Sequence, residues 1–175
     1  MPRAVAILLL VIVALGAGWR VARPGSGDAT RGRVVYVPDA DTVDVRLDGA
    51  QTPVRVIGVD APEVAHDGRP AACYGDRAGA FVRSALDGRR VRLVPGVERH
   101  DRYGRLLAAV IPVDGPLAGR DLAETLAREG LARSLAIPPN DANAAVIAGL
   151  VAEARAARRG LWSACGFHAA FPRVG

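Results

Sequence analysis

Short valine-rich runs alternate with polar positions along the middle of this chain, and spacing of three to four between apolar residues is confined to three stretches. Val34, Val35 and Val37 open an apolar segment, and Val43, Val45 and Leu47 alternate with polar neighbours up to the turn signal Asp48-Gly49. Val54 to Val59 is apolar except for Arg55, Val91 and Leu93 alternate again, and Leu106 to Ile111 reads as a buried strand ending at Pro112 and Asp114-Gly115. The helical stretches are Ala78, Phe81, Val82 and Ala85 before Gly88, then Leu122, Leu126 and Ala127 before Gly130. A third runs from about Asp141 to Arg159, with Ile147, Leu150 and Ala154 inward and Gly160 as its stop.

The order is therefore three strands, a helix, two strands and two helices. It predicts an α+β, mainly β domain: a five-stranded Greek-key barrel of the oligonucleotide-binding (OB-fold) kind with three α-helices. With half of its 175 residues hydrophobic and 23% charged, the chain can bury such a core. Barrels of this kind grip nucleic acid on one face, but the architecture alone does not establish catalysis.

Ahead of the barrel, Arg3 precedes an unbroken apolar run from Ala4 to Trp19, followed by Arg20 and the loop-forming segment Arg23-Pro-Gly-Ser-Gly-Asp28. The expected division is a signal or membrane anchor over 1–22, a linker over 23–31, the barrel domain over 32–165 and a tail over 166–175. A cleaved signal and a retained anchor both fit the run, which is slightly short of the roughly 20 apolar residues a spanning helix needs. The protein is thus expected outside the cytoplasm, secreted or held on the outer face of the cytoplasmic membrane through residues 4–19. In that oxidising setting Cys73 and Cys165, the only cysteines, are expected to pair. The bridge closes a loop for which chain entropy gives about 4 to 5 kcal/mol.

The net charge of +5 is a weak pull on polyanions, and all 23 basic residues are arginine, so position and not residue type must single out a functional arginine. Three stretches do so: Asp39-Ala-Asp-Thr42, Arg55-Val-Ile-Gly-Val-Asp-Ala-Pro-Glu63 and Asp101-Arg-Tyr-Gly-Arg105. Asp41 and Asp60 stand at the start of one predicted strand and the end of the next, so a hairpin could bring their carboxylates together. Two bare carboxylates about 4 Å apart repel by roughly 4 kcal/mol at a surface-like effective dielectric, which a hard divalent cation such as Ca²⁺ relieves. Glu63, just past Pro62, is placed to activate water, and Arg55 and Arg105 offer forked guanidinium groups to a phosphate. These parts suit phosphodiester hydrolysis. Taken singly they have plainer readings: turn-shaping aspartates, an ordinary loop at Asp60–Glu63, and structural ion pairs for the arginines. His66, His100 and His168 lie among loop signals and build no site, and Trp162 is expected to pack the last helix.

In order and spacing, these segments together with Cys73-Tyr-Gly75, Glu129-Gly-Leu-Ala132 and Gly160-Leu-Trp162 resemble the thermonucleases, the staphylococcal-nuclease-like domains. The resemblance spans about Gly32 to Cys165. It implies that Asp41, Asp60 and the backbone carbonyl of Ala61 bind Ca²⁺, that Arg55, Glu63 and Arg105 are catalytic, and that Tyr103 lies beside the bound nucleotide. The implied reaction is Ca²⁺-dependent attack of water on phosphorus in DNA or RNA, giving 3′-phosphate products; a monomer is the default expectation. Three departures stand out: Ala40 replaces a glycine, Ala61 replaces a threonine, and Arg133-Ser-Leu-Ala-Ile137 lacks tyrosines that stack on the base. The competing expectations are a noncatalytic nucleic-acid- or protein-binding barrel and a membrane-anchored envelope protein.

Overall fold

A computed structural model describes residues 29–66, 68–165 and 170–171. The apolar leader and His168 fall outside the described residues. The elements are β1 (Thr30–Asp39), β2 (Thr42–Leu47), β3 (Ala50–Val56), β4 (Gly58–Asp60), α1 (Gly75–Leu86), β5 (Arg90–His100), β6 (Leu106–Pro112), α2 (Leu122–Arg128), β7 (Arg133–Leu135), α3 (Ala144–Ala156) and α4 (Leu161–Ala164).

Five strands close a barrel in the order β1-β2-β3-β6-β5. All neighbours are antiparallel except β3 and β6, which run parallel, Val54 opposite Leu106. The parallel pair follows from α1, which carries the chain across between β4 and β5, as parallel neighbours require. Valine alternation sets the inward face: Val34, Val43, Val45, Val54, Val91 and Val110 are fully buried. The Asp48-Gly49 signal is a two-residue hairpin turn with both φ angles positive, 48° and 87°, which keeps Leu47 opposite Ala50 and fixes the register of β2 on β3.

The helices close the barrel's openings. α1 buries Ala78, Val82, Ala85 and Leu86, and α2 is capped by Asp121, whose side chain accepts from the N–H groups of Ala123 and Glu124. α3 contributes Ile147, Leu150 and Ala154 to the same core. The short α4 docks beside α2 through Leu161 N–H, which donates to the Gly130 carbonyl at 2.9 Å. Trp162 is half-buried against Leu161 and Phe171, the packing role expected of it. The disulfide Cys73–Cys165 ties the loop before α1 to the residue after α4, across 92 positions.

The structure adds to the predicted set a small second sheet, β4 paired antiparallel with β7. The apolar run Val54–Val59 is not one strand. It breaks at Ile57, and Gly58, at φ 93°, redirects the chain out of the barrel. A side chain at Gly58 would meet Ile147 Cδ1 at 2.4 Å, so this exit also depends on α3 packing close.

Candidate active site

The barrel's β1–β2 turn carries Asp39, Ala40 and Asp41 into the interior edge, and both aspartates are buried, with 9% and 6% of their surface exposed. Asp41 does not sit on the hairpin with Asp60, as the strand pattern suggested. It precedes β2, and Asp60 arrives from β4, because the chain leaves the barrel at Gly58. The two loops are stitched together by backbone contacts. The Asp41 carbonyl accepts from Val56 N–H at 2.9 Å, and Asp41 Oδ2 accepts from Ala61 N–H at 2.7 Å.

Arg55 bridges the pair. Its Nη2 lies 3.0 Å from Asp41 Oδ2 and 3.3 Å from Asp60 Oδ1, while Nη1 donates to the carbonyls of Val56 and Val59, both at 2.8 Å. The guanidinium is thus partnered on both arms, which is what permits a side chain only 13% exposed in the strand wall. Asp60 is held from its other side by Arg133, whose Nε and Nη2 reach Asp60 Oδ2 at 2.8 and 2.7 Å. The register of β4 on β7 sets Asp60 directly opposite Arg133. Nothing in the sequence pattern singled out Arg133 as a partner, since both strands are three residues long and 73 positions apart.

Glu63 is exposed just beyond, and it hydrogen-bonds with Asp39. Burial, that hydrogen bond with Glu63 and the charge of Asp41 push the Asp39 carboxyl up to about 8. Burial likewise pushes Asp41 above the ordinary carboxylate range, with Asp60 and Glu63 adding to the effect and Arg55 and the Ala61 N–H opposing it. For Asp39 the raised value means that the folded state resists ionisation. Its contribution to stability therefore falls as the pH rises from about 4 to about 8. Asp39→Asn, which keeps the acceptor for the Ala40 N–H (2.7 Å), is expected to gain stability over the parent at pH 8 and to lose that advantage near pH 4. Denaturant unfolding in chelator across this range checks it; a difference independent of pH would contradict the raised value.

The position of Glu63 depends on a glycine. A Cβ added at Gly75 would lie 2.0 Å from the Glu63 carbonyl oxygen and 3.1 Å from that of Pro62, so the start of α1 packs directly on this loop. Gly75→Ala is expected to displace Glu63 and, with Glu63 in the role its place in the sequence predicts, to lower turnover by at least tenfold. Steady-state kinetics beside a melting curve would separate displacement from unfolding; full turnover in the folded variant would show that the loop absorbs the side chain.

Arg105 and Tyr103 come from the β5–β6 connection. Asp101 organises it: Oδ2 pairs with Arg105 Nε at 2.7 Å, and Oδ1 accepts from the N–H groups of Tyr103 and Arg105, both at 2.9 Å. Burial works against the Asp101 charge, but these bonds from Arg105 and Tyr103 outweigh it and hold the carboxyl below its usual range. Tyr103 is 68% exposed, with the Arg102 and Arg105 guanidinium groups 4.7 and 5.5 Å from its ring centre. Arg55, Tyr103 and Arg105 line one cleft of about 440 Å³, together with Leu135, Ile137 and Asn140. Arg55 belongs to both the cleft and the acidic cluster, so the two halves meet at its guanidinium.

The donor set suits a hard cation. Asp41 and Asp60 face each other across Arg55, and the neighbouring Asp39 and Glu63 make this an oxygen-only environment in which carboxylates outnumber guanidiniums. Among the described residues no three His, Cys, Asp or Glu side chains form a ready cage. Asp41 and Asp60 are the carboxylates that would hold such an ion, with backbone oxygen and water completing a loose coordination of the kind a large divalent cation accepts.

The profile of the family described as Staphylococcal nuclease homologue matches residues 53–164. The thermonuclease of Staphylococcus intermedius is 38% identical over 129 residues, 74% of this chain and 74% of that protein. The thermonuclease of Staphylococcus hyicus is 36% identical over 132 residues, 75% of each. A probable endonuclease of Arthroderma otae is 40% identical over 79 residues, 45% of this chain and 27% of the larger protein. With the barrel, the paired carboxylates and these matches in agreement, the chain belongs to the staphylococcal nuclease family.

Proposed function

We propose that this protein is an exported, Ca²⁺-dependent nuclease that hydrolyses phosphodiester bonds of DNA or RNA and leaves 3′-phosphate ends. That it is a phosphodiester-hydrolysing enzyme follows from its family; the metal, the product and the location are the finer reading. The observation that supports the metal reading most is the single guanidinium of Arg55, which touches the buried Asp41 and the half-buried Asp60 and also lines the cleft.

Asp41 and Asp60, with the carbonyl of Ala61, are the residues that would hold Ca²⁺, and Ca²⁺ when bound supplies a positive charge beside the scissile phosphate and polarises its oxygens. Glu63 is the only acid of the cluster that is exposed, which suits it to accept a proton from attacking water. The water oxygen bonds to phosphorus, the bond to the 5′ oxygen breaks, and that oxygen takes up a proton as it leaves. Arg55 and Arg105 both line the cleft and are the guanidinium groups meant for the phosphate, where charge on its oxygens grows in the transition state. Tyr103, exposed at the rim, is positioned to lie against the nucleotide. The Cys73–Cys165 bridge supports an oxidising destination, secreted or on the outer face of the membrane.

The deciding experiment is cleavage of single-stranded and duplex DNA and RNA by the purified protein with Ca²⁺ or with chelator, with end-group analysis of the products. Ca²⁺-dependent cleavage leaving 3′-phosphates supports the proposal. Intact substrate with a folded, Ca²⁺-supplied protein would favour a noncatalytic binding barrel, and equal cleavage in chelator would remove the metal.

A further inference from the structure

The outer face of the barrel, away from the cleft, carries a grid of arginines. Arg33 on β1 is directly opposite Arg46 on β2 and Arg90 on β5, and Arg31, two residues earlier, is directly opposite Arg92. Their inward neighbours Val34, Val45 and Val91 are fully buried, so strand alternation turns all five arginines outward. Arg31, Arg33, Arg46 and Arg90 are exposed and Arg92 is half-buried. With strands about 4.8 Å apart and about 7 Å per two residues, the grid covers roughly 7 by 10 Å.

Like charges placed directly opposite across strands are destabilising. Among the described residues only Arg90 of the five has an ion-pair partner, Asp114 at 2.9 Å, while Arg33 Nη1 donates to the Gly88 carbonyl and the charge of Arg92 is felt by Asp121. Asp44, also on this outer face, is bound to Gln51 at 2.7 Å. Arg31 and Arg46 have no carboxylate partner among the described residues, so the grid is left to an external polyanion.

Farther along β1, past a register irregularity, the ring of Tyr36 is 57% exposed. The same strand then ends at Asp39, beside Glu63. An aromatic platform between a basic grid and the acidic cluster suits a single strand of nucleic acid, whose phosphates are held by arginines and whose bases can stack. An exposed tyrosine would also suit a lipid surface, but a strand-like polyanion is what makes use of the ring's place between the grid and the acidic cluster. Six residues of strand separate Arg33 from Asp39, about 20 Å, the length of about six stacked nucleotides.

We propose that Arg31, Arg33, Arg46 and Arg92, with Tyr36, form an accessory surface for the backbone of single-stranded nucleic acid, holding a long substrate along β1 while its end or an internal bond enters the cleft. This rests on the nuclease reading for the identity of the polyanion. The surface acts on retention of long substrates and leaves the chemical step alone.

The test compares the full-length protein with the quadruple variant Arg31→Gln, Arg33→Gln, Arg46→Gln, Arg92→Gln. Binding of a fluorescent single-stranded 20-mer is followed in chelator, where binding is read without metal-dependent cleavage, over a salt series. The variant is expected to melt no lower than the parent, because it loses like-charge repulsion. It is expected to bind the 20-mer at least tenfold more weakly at 50 mM salt, with a log–log salt slope smaller by about 2 to 3. Tyr36→Ala is expected to weaken the same complex at least fivefold. With Ca²⁺, kcat/KM on a dinucleotide substrate, too short to reach the grid, stays within about twofold of the parent. An unchanged affinity and salt slope in the folded quadruple variant overturns the proposal. So does an unchanged 20-mer affinity accompanied by lost binding to phosphatidylglycerol-containing vesicles, which would assign the grid to a lipid surface. A parent that cleaves nothing counts against the nuclease reading, and the comparison in chelator still decides the role of the arginines.

Discussion

Glu63→Gln is expected to leave the protein folded and to slow hydrolysis by about 10² to 10⁴-fold, the range for removing a positioned general base. Glutamine keeps the shape of the side chain and its ability to hydrogen-bond Asp39, but it cannot take a proton from water. Because Glu63 is exposed, the substitution leaves no buried group without a partner, and stability should change little. The loss should fall on kcat and leave substrate affinity, proposed to come from the cleft lined by Arg55, Tyr103 and Arg105, almost unchanged. Single-turnover cleavage at saturating enzyme, with a melting curve for each protein, measures both quantities. Turnover equal to the parent's would take Glu63 out of the reaction and leave Asp39, its hydrogen-bonded neighbour, as the next candidate for handling the proton.

What the sequence reveals about this protein follows the range of the interactions involved. Valine alternation and the Asp48-Gly49 turn are local, so the barrel strands and the β2–β3 register can be read from consecutive residues. The apolar run across Ile57 hides the break at Gly58, because burial in the barrel and burial against α3 demand the same residue types on either side of it. The pairing of β4 with β7 is invisible for a different reason: three residues give no periodicity, and the contact joins Asp60 to a segment 73 positions away. Arg133 was therefore noticed only for the tyrosines missing after it, although it makes the shortest contacts to Asp60. Gly75 belongs to a recognisable motif, yet its reason for being glycine, contact with the Glu63 carbonyl, appears only in three dimensions. The acids and arginines proposed for the site stand out in the sequence by order and spacing, and the structure brings Asp41, Arg55 and Asp60 into contact.

Arg55 is expected to show the largest combined effect, since it holds Asp41 and Asp60 and also lines the cleft proposed to take the phosphate. In chelator, Arg55→Gln removes the one cation among the described residues that touches both Asp41 and Asp60, leaving Asp41, whose side chain is 8% exposed, with a hydrogen bond from Thr42 and one from the Ala61 N–H as its remaining partners among those residues. Breaking a buried pair from one side costs about 3 to 5 kcal/mol. Saturating Ca²⁺ should restore much of that, because an ion bound by the same two carboxylates offsets their repulsion and binds only the folded form. Turnover should not return with it. A lost donor to the developing phosphate charge costs about 10² to 10³ in rate, and an ion seated on the two carboxylates does not replace a guanidinium that lines the cleft. Arg55→Lys separates the two roles, because an ammonium keeps the charge between the carboxylates but cannot also span the carbonyls of Val56 and Val59. It is expected to be more stable than Arg55→Gln in chelator and almost as slow. Denaturant unfolding with and without Ca²⁺, beside single-turnover rates, reads both effects. Parent-like turnover in Arg55→Lys would reduce Arg55 to a charge between two aspartates, and parent-like stability of Arg55→Gln in chelator would mean that Asp41 and Asp60 are not ionised together without the metal.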